Sequence, residues 1–247
     1  MTSESLSRSD SDHPIRTEIE RKARSACNKI SSLGKSTDVG TLLKVLADEG
    51  LFTLGFLNGQ TTEIEPDNIE QACWTLEFLA GASGAAASAY MANAVLAAAV
   101  IAMMGTPEQK EGLLPRLSSG DLQLAFAMTE PNAGSDAAAI TTNCVKVDDG
   151  FVLNGDKIYT TGAATADALL VVACNADADA RDRTFSILIV PGKAAGLTVK
   201  PLDSLAGHVH TSCEVAFRDV RVAATSLLGG RRRLRQSLGH ASKIRIA

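Results

Sequence analysis

Residues 106–128 read TPEQKEGLLPRLSSGDLQLAFAM, and the period of the apolar positions changes inside that stretch. Thr106, Pro107 and Gln109 suit the N-cap, first and third positions of a helix, where a hydroxyl and an amide satisfy backbone donors that lack an intrahelical partner. Leu113, Leu114 and Leu117 follow at helical spacing. After the SSGD segment at 118–121, Leu122, Leu124, Phe126 and Met128 alternate with Gln123, Ala125 and Ala127, the two-residue repeat of a strand with one face inward. Helices therefore give way to sheet near residue 121.

The same reading extends outward on both sides. Upstream, Leu42, Leu43, Val45 and Leu46 form the stripe of a short helix that ends at Gly50, a residue suited to the left-handed position. Asp67 is placed to cap a second helix running to about Ala82, with Ile69, Ala72, Cys73, Leu76 and Leu79 on one side. A third helix covers Ala85–Met104. No charged residue occurs from Phe78 to Pro107, a run long enough to cross a membrane, but it is mostly Ala, Gly and Ser and is interrupted by Gly81, Gly84 and Asn93. It reads as buried helices and not as a membrane span.

Downstream, strands are expected around Thr142–Val147, Phe151–Leu153, Lys157–Thr161, Ala168–Cys174, Thr184–Val190, Leu197–Pro201 and Cys213–Val222. Asp149-Gly150, Asn154-Gly155 and Pro191-Gly192 are placed to reverse the chain between them. Past Gly229-Gly230 a helical stripe returns at Leu234, Leu238, Ala241 and Ile244. The expected fold is α+β: a Ser- and charge-rich mobile tail over 1–35, an all-α domain over 36–120, an antiparallel β-barrel over 121–228, and over 229–247 the first helix of a further helical domain.

Composition narrows the functional classes. Lys and Arg number 24 against 28 Asp and Glu, and the resulting charge of −4 provides no broad positive field for nucleic acid or anionic membranes. The five cysteines are widely spaced with no C-x-x-C pair, which points to a reduced, cytoplasmic setting without a thiol metal site. His208 and His210 could share a strand face, but no Cys or carboxylate accompanies them as a metal site requires.

Two segments carry chemistry: LAFAMTEPNAGSD at 124–136 and NGDKIYTTGAATAD at 154–167. A strand ending at Thr129, followed by Pro131 and Gly134-Ser135, offers a hydroxyl and turn amides that could cradle a polar cofactor edge or phosphate. The same residues could equally form a plain turn in which Ser and Asp bond their own backbone. Together with GTPEQKEGLLPRLSSGD before them, the two segments closely resemble the acyl-CoA dehydrogenase signature.

That resemblance implies FAD held by Phe126, Met128, Thr129, Gly134, Ser135, Tyr159 and Thr161, with Tyr159 supplying a ring against the isoalloxazine and Thr161 a hydroxyl. It implies acyl-CoA near Ser135 and Lys243, an electron-transfer flavoprotein or similar acceptor, and a homo-oligomer. It places the proton-abstracting Glu in a C-terminal helical domain and leaves Glu130 to local hydrogen bonding, so this stretch of chain by itself is expected to be inactive. Two alternatives stand beside α,β-dehydrogenation: a flavin monooxygenase or oxidase of the same fold, and a non-enzymatic fragment.

Overall fold

The computed structural model describes residues 13–34, 37–52, 65–175, 184–203, 205 and 209–230. Helix α1 spans Pro14–Leu33 and buries Ile19, Ala23, Ala26, Cys27 and Ile30. Over residues 14–33 this replaces part of the mobile tail expected over 1–35. Its charged residues face outward, and the apolar stripe between them is diluted in the average composition. Arg16 anchors the helix by pairing with Glu77 at 3.2 Å and lying 5.5 Å from the Phe78 ring centroid.

Helix α2 (Val39–Asp48) is capped by Asp38, whose carboxylate accepts the Thr41 N–H at 3.0 Å. Gly50 takes the left-handed conformation at φ +66°. Helix α3 (Pro66–Ala80) has its N-cap two residues before Asp67, the cap expected for it. Glu65 is the N-cap, because Pro66, with its φ already fixed and no N–H to lose, occupies the first turn.

The expected helix over Ala85–Met104 is a continuous rod of three segments: α4 (Gly84–Tyr90), a π-helical turn (Met91–Ala97) and α5 (Ala98–Met104). The wider turn is stabilised by Asn93, which is buried and donates from Nδ2 to the Ala89 carbonyl at 3.0 Å. Its Oδ1 accepts the backbone N–H of Leu124, the first residue of the sheet, at 2.8 Å. Although Gly84–Met104 is apolar and long enough to cross a membrane, Ala86, Ala89, Tyr90, Ala94, Ala97, Ala98 and Ile101 lie in the core. Helix α6 (Pro107–Ser118) has the capping box read from Thr106 and Gln109.

The sheet contains β1 (Leu124–Ala127), β2 (Asn143–Val147), β3 (Gly150–Thr161), β4 (Ala168–Asn175), β5 (Phe185–Pro191), β6 (Leu197–Pro201) and β7 (Ser212–Ala223). Its order is β1-β4-β2-β3-β7-β6, with β5 on β4. The sheet is curled and mixed, not antiparallel throughout as expected: β1 and β2 both run parallel to β4, β1 along Ala168–Val171 and β2 at Cys174-Asn175. Two short strands thus share one edge of β4, while β5 takes the other.

A second correction concerns Asn154-Gly155, which does not reverse the chain. Phe151–Leu153 and Lys157–Thr161 belong to one strand, β3, with irregular register against β7 at Leu153/Gly155 and again at Lys157/Thr160. Asn154 bonds across to Asp219, accepting its N–H at 2.9 Å and donating to its carboxylate at 3.0 Å. The pair closes the first bulge, and bulges increase local twist, which curls the sheet.

Asn93 joins the helical and sheet layers, so its loss leaves the buried Leu124 N–H without an acceptor. We expect Asn93→Ala to cost about 2–3 kcal/mol in chemical denaturation. A change below about 0.5 kcal/mol, the usual range for a surface substitution, would show that the amide is no tie.

Candidate functional site

Beyond β1 the chain continues through Met128 and Thr129 to a tight turn, in which Glu130 and Ala133 exchange backbone hydrogen bonds at 2.9 and 3.2 Å. β3 lies alongside: the Ile158 N–H donates to the Thr129 carbonyl at 2.9 Å. Lys157 reaches through the interior and donates from Nζ to the Met128 carbonyl at 2.8 Å and to Glu130 Oε1 at 2.9 Å. Glu130 also accepts the Thr141 N–H and hydroxyl at 2.8 and 2.7 Å, and the Thr142 N–H at 2.8 Å. The two charged side chains are 0% and 3% exposed.

Desolvation alone would raise the Glu130 pKa, but hydrogen bonds from Thr142, Thr141 and Lys157 outweigh it and hold the carboxyl at about 2. Burial draws the Lys157 ammonium downward, opposed by Glu130. Donors from Thr141, Thr142 and Lys157 already occupy the carboxylate and favour its charged form. The local structural role read for Glu130 is the one it has.

Above the pair, β3 bulges between Lys157 and Thr160. Tyr159 sits in that bulge with φ +57° and is 65% exposed. A left-handed backbone at a bulky residue costs about 1–2 kcal/mol. Thr160 is buried beside it, while Thr161 is half-buried with its hydroxyl 2.9 Å from Ser212 Oγ.

The residues named from sequence fall into three groups. Phe126 and Met128 are half-buried against a small cluster that includes Ala133, Ile140 and Val172. Thr129 lies beside Ile158, which brings the first segment to the second just ahead of Tyr159 and Thr161. Gly134 and Ser135 are exposed past the turn, with open space where a Gly134 side chain would stand. Asp136 caps the short turn Ala137–Ala139 and accepts the Ala138 N–H at 3.1 Å.

Lys243 and His208 lie outside the described residues. Among the described residues no group of His, Cys, Asp or Glu could hold a metal ion. A cavity of about 550 Å³ between α2 and the loops at 120–123 and 165–167 is lined by none of the residues named from the resemblance. Its carboxylates are engaged: Asp38 with Thr41, Asp121 with Lys44, and Asp167 with the Gln123 N–H at 2.8 Å.

Sequence reasoning missed Lys157 and Ser212. The available signal was a lysine set inside a strand and followed by the uncharged run IYTT, with Glu130 as a carboxylate that has no cation nearby in sequence.

Residues 13–121 match the family model for the acyl-CoA dehydrogenase N-terminal domain, and residues 125–220 match that for its middle domain. The chain is 36% identical over 158 residues to a mitochondrial 2-methylacyl-CoA dehydrogenase of Solanum tuberosum, a match covering 64% of this chain and 38% of that protein. In structure it is similar to butyryl-CoA dehydrogenase from Megasphaera elsdenii, with a TM-score of 0.74 at 27% identity over 90% of this chain and 60% of that one. It also shares the fold of a glutaryl-CoA dehydrogenase from Mycobacterium smegmatis in complex with FADH2, with a TM-score of 0.71 at 20% identity over 89% and 55% of the two chains. The chain thus spans less than two thirds of the length of these relatives.

The ion pair gives a pH-dependent expectation. A carboxyl whose folded pKa lies below its unfolded value stabilises the fold above the unfolded value and loses that contribution as pH falls through the folded one. For Glu130 the window runs from 4.5 down to about 2. Glu130→Gln, which strands the Lys157 charge, should cost about 3–5 kcal/mol at pH 7. The gap between variant and wild type should narrow as pH drops through that window. A gap independent of pH in urea melts would show that the carboxylate charge is not what stabilises the site.

Proposed function

The chain belongs to the acyl-CoA dehydrogenase family, and from that premise we propose that it forms the flavin-holding part of an enzyme that removes hydrogen across the α,β-bond of an acyl-CoA thioester with FAD as cofactor. Tyr159 carries the reading. Its ring is held out from the sheet at φ +57° and 65% exposure, in the segment that meets the end of β1. Backbone strain at a bulky residue collects where a side chain must meet a ligand.

The surrounding residues fit a flavin. The exposed Tyr159 ring offers a face to a planar ring system. Thr129 and Thr161 would offer hydroxyls to its polar edge, with Phe126 and Met128 as apolar backing. The turn at Gly134-Ser135, with open space over the glycine, is accessible to a phosphate or to the substrate. Bound there, FAD supplies the hydride acceptor for the β-carbon. If Ser212 donates to Thr161 Oγ1 across their 2.9 Å contact, the Thr161 proton is free to point at the ring edge.

Because Glu130 is fully committed, the base that takes the α-proton is assigned outside the described residues. Ser135 and Lys243 are the proposed acyl-CoA contacts. The same family reading carries the electron-transfer flavoprotein or similar acceptor and self-association, while the proposed cytoplasmic setting rests on the spacing of the cysteines.

Reconstitution with FAD and with FMN, followed by absorbance after gel filtration, tests the cofactor; preferential retention of FMN would overturn it. Stopped-flow reduction by butyryl-, octanoyl- and palmitoyl-CoA in the full-length protein tests the chemistry. Losing a donor aimed at developing charge costs on the order of a hundredfold in rate. Thr161→Val should therefore slow reduction by about that factor, whereas Ser226→Ala, in the short turn Ala224–Ser226 after β7, should leave it unchanged. Equal rates in the two variants would remove Thr161 from the site.

A further inference from the structure

Gly162 follows Thr161 at φ +79°, and there is no room for a side chain on it. A Cβ at Gly162 would lie 2.2 Å from His210 Nε2 and 3.3 Å from Gln123 Nε2. The backbone of Gly162 is held on both sides, its N–H by the Thr211 carbonyl at 2.9 Å and its carbonyl by Gln123 Nε2 at 3.3 Å. The imidazole therefore occupies the space that a side chain at 162 would need.

The far side of the ring meets a different layer. His210 Nδ1 is 2.9 Å from Ser88 Oγ on α4, and the residue is 3% exposed. Nε2 has no hydrogen-bond partner among the described residues. An apolar residue could fill the same space without an orphaned nitrogen, which is itself destabilising. What the imidazole adds is a bond at one corner that fixes the ring's orientation while the opposite edge presses on Gly162. Burial holds its pKa at about 4, so the ring is neutral and accepts or donates a single proton in the Ser88 contact.

We propose that His210 is a positioning residue: wedged between Ser88 and Gly162, it sets where the Tyr159–Thr161 segment stands against the helical layer, and so where the flavin ring is seated. The second half of this statement rests on the flavin reading above; the first does not. Thr161 and Gly162 are consecutive, so a displacement of Gly162 moves the Thr161 hydroxyl and its partner Ser212 directly.

Two measurements on the full-length protein test the wedge: hydrogen–deuterium exchange of peptides covering 158–163, and FAD affinity by fluorescence titration. His210→Ala should speed exchange in 158–163 more than in α2, and weaken FAD binding at least tenfold. His210→Asn, whose amide can keep the Ser88 bond, should restore affinity to within about threefold of wild type. Leu46→Ala, a core truncation in α2, controls for general destabilisation and should leave FAD affinity within twofold. If His210→Ala and Leu46→Ala behave alike in both measurements, the wedge is ordinary core packing and the proposal is overturned. If wild type retains no flavin, the functional reading fails, and the exchange rates in 158–163 alone decide the wedge. If His210→Ala does not fold, Ser88→Ala takes its place: faster local exchange supports the proposal and unchanged exchange overturns it.

Discussion

The buried ion pair between Glu130 and Lys157 is the constraint on which the candidate site depends. Removing two charges from water costs several kcal/mol per ion, and their attraction offsets this only when the remaining lone pairs and protons are also satisfied. Glu130 meets that condition with donors from Thr141, Thr142 and Lys157, and Lys157 adds the Met128 carbonyl. The pair is worth having for its geometry. Together the two side chains tie the exit of β1, the approach to β2 and the middle of β3. Any slip of β3 by one residue would carry Lys157 out of the interior and leave Glu130 charged and alone.

Polar side chains, and not apolar contact alone, register the helical layer on the sheet. Asn93 donates to the Ala89 carbonyl at the π-helical turn and accepts the N–H of the first strand residue, Leu124. Gln109 closes the capping box of α6 and in addition donates to the carbonyls of Thr225 and Leu227 and accepts the Gly229 N–H. Ser88 and His210 make a third tie. Hydrophobic burial is non-directional and would tolerate small rotations between the layers. A buried hydrogen bond would not, since a shift of an ångström leaves a donor unpaired at a cost of 1–3 kcal/mol.

What the sequence revealed divides along the range of the interactions. Local signals were legible: the capping box at Thr106 and Gln109, the left-handed Gly50, and the change of period that separates α6 from β1. The TEPNAGSD segment and the second segment were legible as a pair because their resemblance is carried by contiguous residues. Long-range pairing was not. Parallel alignment of β1 and β2 on β4 leaves no trace in the alternation of either strand, so a run of short strands read as antiparallel. Asn154-Gly155 has the composition of a hairpin turn, and only the Asp219 contact 65 residues away converts it to a bulge. The stripe of α1 was hidden because its surroundings are highly charged.

The irregularities of β3 are not scattered. Gly155 at φ +146°, Tyr159 at φ +57° and Gly162 at φ +79° lie between the middle of one strand and the turn that follows it. Each has a buried polar group near it. A Cβ at Gly155 would lie 2.5 Å from the Thr142 hydroxyl, Lys157 is locked to Glu130 two residues before Tyr159, and His210 fills the place of a side chain at Gly162. A regular strand would place its side chains alternately in and out at a fixed pitch. Bending it at these positions keeps Lys157 and Thr160 both inside and turns Tyr159 out between them. The inward bonds offset the strain, and the strained residue is the one left exposed. The arrangement holds an aromatic ring at a fixed height above a rigid floor.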